Sequence, residues 1–295
     1  MDNRKFDVLL KAVDCGNLTR AAMQLGYTQS GVTHIINNLE QDFGFPLLHR
    51  TNRGVSLTED GKRVLPIIRE MQKLDERLQQ EKDLIQGIAS GSICIGSFSS
   101  ISTHWLPRVL SAFQRQYPNI NVEILEGSTT SLVHWLQEGK VDICFFTLRD
   151  DHLFDKIEIM RDSYLALFPK GHPLGKHEAV TLDMLRREPF IMYRTPEGGN
   201  EDLGEVMEIE KTAWNIRFSS NYDYAVISMV ENNLGISIMP ELVLKGHDSD
   251  IETRPLRPVI NRRLGLAVRS RRDASPAMKR FIACATDILL PKSEA

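Results

Sequence analysis

Gln29, Ser30, Thr33, His34 and Asn37 recur at the spacing of a single helix face. All five side chains are short or medium in length and form hydrogen bonds. Behind them Val32, Ile35, Ile36, Leu39 and Phe43 fall at i, i+3, i+4, i+7 and i+11, which makes one apolar stripe. A helix packed on one side and hydrogen-bonding on the other suits the base edges of a DNA major groove. Taken alone, the same face is simply a solvated surface. The flanking residues decide between these readings. Thr19 to Leu25 forms a short preceding helix, with Asn17 or Thr19 as its cap; Gly26-Tyr27 makes the turn, and Thr28 caps the longer helix. Two helices joined in this way form a helix-turn-helix, and Thr19, Thr28, Gln29, Ser30, Thr33, His34 and Asn37 are its candidate DNA contacts.

The elements around this unit complete a small domain. An amphipathic helix over about residues 3–14 precedes it, with Phe6, Leu9, Leu10 and Val13 at helical spacing. After Phe43, two short extended runs flank Thr51-Asn52-Arg53-Gly54, the pattern of a hairpin wing. Arg50 and Arg53 lie there and are candidate phosphate or minor-groove anchors. Charge gives little support, since residues 1–58 carry six Lys/Arg against five Asp/Glu. Thr58, followed by Glu59 and Asp60, starts a long helix that reaches about Ile88. Val64, Ile67, Met71, Leu74, Leu78, Ile85 and Ile88 fit its a and d positions, so it predicts a coiled-coil partner, most simply the same helix of a second copy. Pro66 removes a hydrogen bond near its start and predicts a kink there.

Beyond a small hinge at residues 87–92 (GIASGS), short strands beginning with SICIGSF alternate with amphipathic helices, the pattern of an α/β domain with a largely parallel sheet in two lobes. The expected division is 1–58, 59–88 and 89–295, with lobe I over about 92–162 and 267–295 and lobe II over 163–266. Hydroxyls bunch where strands end: Ser97, Ser99, Ser100, Ser102 and Thr103 after the first strand, Ser128 to Ser131 after the second. Ligands of doubly wound sheets bind at such ends, where helix N-termini present unpaired N–H groups to anions; some of these hydroxyls must serve only as helix caps. Ser99, Ser100, Ser128 and Thr129 are candidates for a small, anionic effector such as a carboxylate. Thr147, Asn221 and the 194–200 loop with Asn200 could line the same cleft.

The composition of the 295 residues, 42% hydrophobic and 25% charged, is that of an ordinary soluble protein. Charged residues interrupt the N-terminus, so no export signal is expected, and no run approaches the ~20 apolar residues of a membrane span. Cys15, Cys94, Cys144 and Cys284 have no paired spacing and fit a reducing cytoplasm. The histidines from His104 to His247 lack ligand spacing, so neither a metal nor a cofactor is expected. The rival reading is a small-molecule-binding protein or an enzyme on the α/β scaffold; GxSxG, GxGxxG, P-loop and HExxH motifs, which would favour an enzyme, are absent.

The stretch AAMQLGYTQSGVTHIINNLEQDFGFPLLHR, followed by RGVSLTEDGKRVL, resembles the N-terminal domain of LysR-type transcriptional regulators. IGSFSSISTHWLPRVLSAFQRQYPNI, LQEGKVDICFF, KGHPL and VENNLGISIMP stand in that family's order and spacing, so the resemblance covers essentially the whole chain. It implies a winged helix-turn-helix, a dimerising linker helix and an effector domain built like a type II periplasmic binding protein from two Rossmann-like lobes. It also implies double-stranded DNA as partner, a homodimer or homotetramer, and a response to a small molecule; Ser100 and Ser128 match its ligand contacts. A regulator that binds DNA constitutively is a further reading. Where the family commonly carries Ser then Arg, this chain has Thr33 and His34. The hydroxyl is kept but the bidentate cation is lost, which implies a different half-site preference.

Overall fold

The computed structural model of the chain describes residues 3–51, 54–150, 153–194, 214–247 and 250–290. Three helices, α1 (Asn3–Cys15), α2 (Leu18–Leu25) and α3 (Gln29–Phe43), precede a hairpin of β1 (Leu48–Thr51) and β2 (Gly54–Leu57). Local chemistry sets each boundary. Asn17 Oδ1 accepts the N–H groups of Thr19 and Arg20 at 2.9 and 3.1 Å, so Asn17 is the cap and α2 begins at Leu18. Gly26, at φ +71°, then ends α2 in the left-handed region that favours glycine. Thr28 Oγ1 accepts from the Gly31 N–H at 3.1 Å and starts α3. Phe6, Leu9, Val32, Ile36 and Leu39 fill the space between the helices, and buried Ala21 and Ala22 let α2 approach closely.

Next comes α4 (Glu59–Ile85), whose 27 residues make a rod of ~40 Å. Thr58 caps it, with Oγ1 accepting from Gly61 N–H at 2.9 Å and donating to the Pro46 carbonyl at 2.8 Å. A Cβ at Gly61 would lie 2.3 Å from the Leu47 carbonyl oxygen, so only glycine lets the helix start against this segment. α4 continues through Pro66 as one helix. Its first turns bury Leu65 and Ile68, and Ile68 packs into the core of the N-terminal domain. The opposite stripe stays open, with Ile67, Leu74 and Leu78 each more than half exposed.

A third face of α4 is polar and lies on the α/β domain. Arg69, 6% exposed, donates through Nη2 to Asp14 of α1 at 2.9 Å and through Nη1 to Glu138 at 2.8 Å. Lys73 Nζ lies 3.1 Å from Asp142, Arg77 lies 3.9 Å from Asp273, and Gln80 Oε1 accepts from Ala277 N–H at 3.2 Å. Positions 69, 73, 77 and 80 are one helix turn apart, so they share a single face. Burial pulls the Lys73 ammonium down, but Asp142 and Glu76 outweigh it and hold its pKa above the ordinary value.

The α/β domain begins with β3 (Gly91–Ser97), α5 (Ser99–His104), α6 (Leu106–Gln116), β4 (Ile120–Glu126), α7 (Thr129–Gln137) and β5 (Ile143–Thr147). The long β6 (Asp155–Pro169) then leads to α8 (Leu182–Leu185), β7 (Phe190–Tyr193), β8 (Ile216–Ser220) and α9 (Asp223–Glu231). β9 (Ser237–Pro240), α10 (Glu241–Leu244), β10 (Ile251–Pro255), β11 (Asn261–Val268) and α11 (Pro276–Leu289) complete it. The main sheet runs β10-β6-β11-β5-β3-β4, with β9 also on β6, and β7 pairs with β8 beside it. Phe113, Phe145 and Phe281 meet edge to face in the first lobe's core, with centroids 5.1 and 6.4 Å apart. Phe168, Phe190 and Ile238 fill the second.

One expectation changes. The sheet is mixed: β3 pairs parallel with β4 and β5, and β7 with β8, while β6 and β11 pair antiparallel with all their neighbours. The physical reason is that β6 and β11 carry the chain between lobes in opposite directions. β6 pairs with β11 over 155–163 and with β9 and β10 over 164–169. β11 runs back along β6 from Asn261, opposite Ser163, to Val268, opposite Asp155.

Candidate functional site

The first site is the solvent face of α3. Gln29, Ser30, His34 and Asn37 are exposed and Thr33 is half-buried, so all five predicted side chains share that face. Ser30, His34 and Asn37 have local ties that limit their freedom. Thr28 Oγ1 and Ser30 Oγ are 3.1 Å apart, and His34 Nε2 lies 3.1 Å from Asn38 Nδ2. Arg50 Nη2 donates to Asn37 Oδ1 at 2.7 Å and to Glu40 Oε2 at 3.0 Å. Arg50 lies on β1 and links the wing to α3. Glu40 completes the link by accepting the N–H groups of Leu47 and Leu48 at 2.7 and 3.0 Å. Thr19 is exposed on the first turn of α2, and Arg53 lies outside the described residues.

The second site is a cavity of about 470 Å³ between the two lobes. Ser99, Ser100, Ser128, Thr129 and Asn221, all expected from the sequence, line it. Ser128 is also the cap of α7, accepting from Ser131 N–H at 3.2 Å, so the ligand and cap readings fall on one residue. Thr147 does not line the cavity. It is buried at the end of β5 opposite Leu264, where β11 covers it. Asn200 lies outside the described residues. Across the cleft, Ser99 Oγ donates to Asp223 Oδ2 at 3.3 Å and joins α5 to the start of α9.

The helix-turn-helix family of bacterial lysR-type regulatory proteins matches residues 4–62, and the LysR substrate binding domain matches residues 86–289. The chain belongs to the LysR family of transcriptional regulators. It is 31% identical to the HTH-type transcriptional regulator YvbU of Bacillus subtilis (strain 168), over 96% of this chain and 97% of that protein. It is 32% identical to the probable regulator LrrA of Synechococcus elongatus, over 96% and 95%. Among solved structures, a full-length OxyR variant from Pseudomonas aeruginosa superposes with a TM-score of 0.74 at 21% identity, covering all of both chains. The LysR-family regulator CbnR, solved full-length with its target DNA, superposes at 0.55 and 19% identity, over 98% of this chain and all of the other.

This LysR-type regulator thus pairs a DNA-binding helix-turn-helix with a substrate-binding domain. The family consists of transcriptional regulators, not enzymes, and among the described residues no helix is long and apolar enough to cross a membrane. Sequence reasoning missed most of the cleft's character. Asp223, Glu126, Tyr164, Tyr193, Tyr222 and Tyr224 line it, as do His104 and His247, which read as ordinary histidines. Burial pushes the Cys94 thiol up to about 12, and burial also raises Cys144, so both are protonated thiols at neutral pH.

Burial also raises the Asp223 pKa, against the Ser99 hydrogen bond and the charges of Arg262 and His247, which lower it. The folded state therefore binds this proton more tightly than the unfolded state. The associated stability is full below the ordinary carboxylate pKa of ~4 and declines as pH rises through the folded value. Asp223→Asn is expected to raise the unfolding temperature at pH 7, and this gain should shrink as the pH is brought below ~4. A gain that stays constant with pH would assign the effect to packing instead of charge.

Proposed function

We propose that this regulator binds promoter DNA in the cytoplasm as a homodimer, two of which pair into a tetramer, and that a small anionic effector in the interlobe cleft adjusts that binding. The proposed division is 1–58 for DNA reading, 59–88 for dimerisation and 89–295 for the effector. Gln29, Ser30, Thr33, His34 and Asn37 read base edges, while Thr19, Thr28, Arg50 and Arg53 position the head on the backbone. The observation that carries this reading is the exposed polar face of α3, capped by Thr28 and tied to the wing through Arg50. The fold shared with CbnR, which was solved on its target DNA, supports it.

Effector response follows from α7. Ser128, with Thr129, starts this nine-residue helix at the cleft, and Glu138 ends it on Arg69. An anion held by Ser99, Ser100, Ser128 and Thr129 of the first lobe and by Asn221 of the second draws the lobes together and moves a rigid element whose far end meets the linker helix. That shift biases the spacing of the two reading heads.

Fluorescence anisotropy on DNA from upstream of the protein's own gene, beside random DNA, tests the reading face. The native protein is expected to prefer its own DNA by ~10³-fold, and the double change Thr33→Ala, His34→Ala to abolish that preference. Equal binding of both DNAs, untouched by the change, would refute the assignment. For the oligomer, Leu74→Asp with Leu78→Asp is expected to leave a monomer in sedimentation velocity; an undisturbed dimer would move the interface away from α4.

A further inference from the structure

The cleft carries a charge pattern that a plain anion would not select. Asp223 and Glu126 both line it. Arg262, the arginine in its wall, is committed elsewhere, with Nε 2.9 Å and Nη2 2.8 Å from the buried Asp162 carboxylate. That pair is also enclosed by aromatic rings, since the guanidinium stacks 5.6 Å from Phe98 and 6.0 Å from Tyr164. His104 gives no compensating charge, because burial, then Lys245 and His247, hold its pKa below the ordinary value. Asp223 and Glu126 are thus the two carboxylates of the described cleft wall, and the arginine beside them is already paired with a third.

The remaining surface suits a cation. Tyr222 and Tyr224 flank Asp223 at the mouth, both about 70% exposed, and Tyr193 and Tyr164 face the same cavity. Aromatic faces attract ammonium groups, and a carboxylate among them completes such a site. At present the Asp223 carboxylate accepts from the Ser99 hydroxyl at 3.3 Å, a long bond for a group so poorly hydrated. A protonated amine would make a charge-assisted bond of ~2.7–2.9 Å in its place.

We propose that the effector is a zwitterion of amino-acid type, whose ammonium group pairs with Asp223 among these tyrosines while its carboxylate meets Ser128 and Thr129. This rests on the cleft being the effector site, and it extends that reading from an anion to a ligand with both charges. The arrangement also explains why the acid and the hydroxyls come from opposite lobes: a ligand with two unlike ends bridges them and favours closure. A ligand that has the carboxylate but lacks the amine leaves Asp223 with the long Ser99 hydrogen bond alone and brings a like charge close to it, so the site discriminates against it.

The test uses the full-length protein, with thermal shift followed by titration calorimetry. The twenty common L-amino acids are the first probes, and each one that binds is compared with its 2-hydroxy acid and its N-acetyl derivative. The expected result is that at least one amino acid binds, and that both analogues bind at least ~10-fold more weakly. Asp223→Asn should erase this preference while binding the 2-hydroxy acid at least as well as native, a gain that a misfolded variant cannot show. Three results would overturn the proposal: no amino acid binds, the 2-hydroxy acid binds as tightly as its parent, or Asp223→Asn leaves their ratio unchanged. Ser128→Ala separates the two levels. If it weakens the amino acid and the hydroxy acid alike while Asp223→Asn changes nothing, the cleft stands and the amine pairing falls. If neither variant alters binding, the ligand sits elsewhere and both readings fall.

Discussion

Arg69 is shared between Asp14 of the first helix and Glu138 at the end of α7, and it lies almost entirely out of water. Removing a partner from a buried ion pair typically costs about 3–5 kcal/mol, because the charge left behind has no solvent. The two carboxylates are themselves 38% and 26% exposed, which puts this site toward the lower end. Such a pair adds little stability beyond what a well-packed apolar contact would give. Its consequence is geometric: the DNA-reading domain, the linker helix and the effector domain share one cation, so none can shift without disturbing it.

The linker helix separates its tasks by face. Residues 69, 73, 77 and 80 lie on the chain's own effector domain through charges and hydrogen bonds, while Ile67, Leu74 and Leu78 remain open. Directional polar contacts fix the rotation of the rod, and the non-directional apolar stripe is thereby aimed outward. Asp142 extends the polar contact inward, since it pairs with Lys73 and also accepts the Cys94 N–H of β3 at 2.8 Å. β3 leads directly into the serines of the cleft. The cleft and the linker helix therefore touch through two elements, a strand and a helix, both short and both well packed.

Much of this was legible in the sequence because it is local. The caps at Thr28 and Thr58, the apolar stripe of α3 and the heptads of α4 are all written within a few turns of chain. The features that were missed depend on distant partners. The first half of β6, DKIEIMRDS, alternates poorly and carries charge; it is a strand because β11 pairs with it from 98 residues farther along at Ser163–Asn261. The acids and tyrosines of the cleft lie at 126, 164, 193 and 222–224, and only the crossing of β6 and β11 brings them to one cavity. Thr147 shows the converse: its position at a strand end suggested a ligand contact, and it lies buried there, paired with Leu264 of β11.

The most direct test of this account is the distance between reading head and effector domain in solution. Nitroxide labels on unnatural residues at Gln41 and Gln116, both exposed, would be measured by double electron–electron resonance in protein diluted with unlabelled chains. The native chain should give one narrow distribution, and Arg69→Met a broad one. An equally narrow, unmoved distribution in Arg69→Met would show that the shared guanidinium does not set the arrangement.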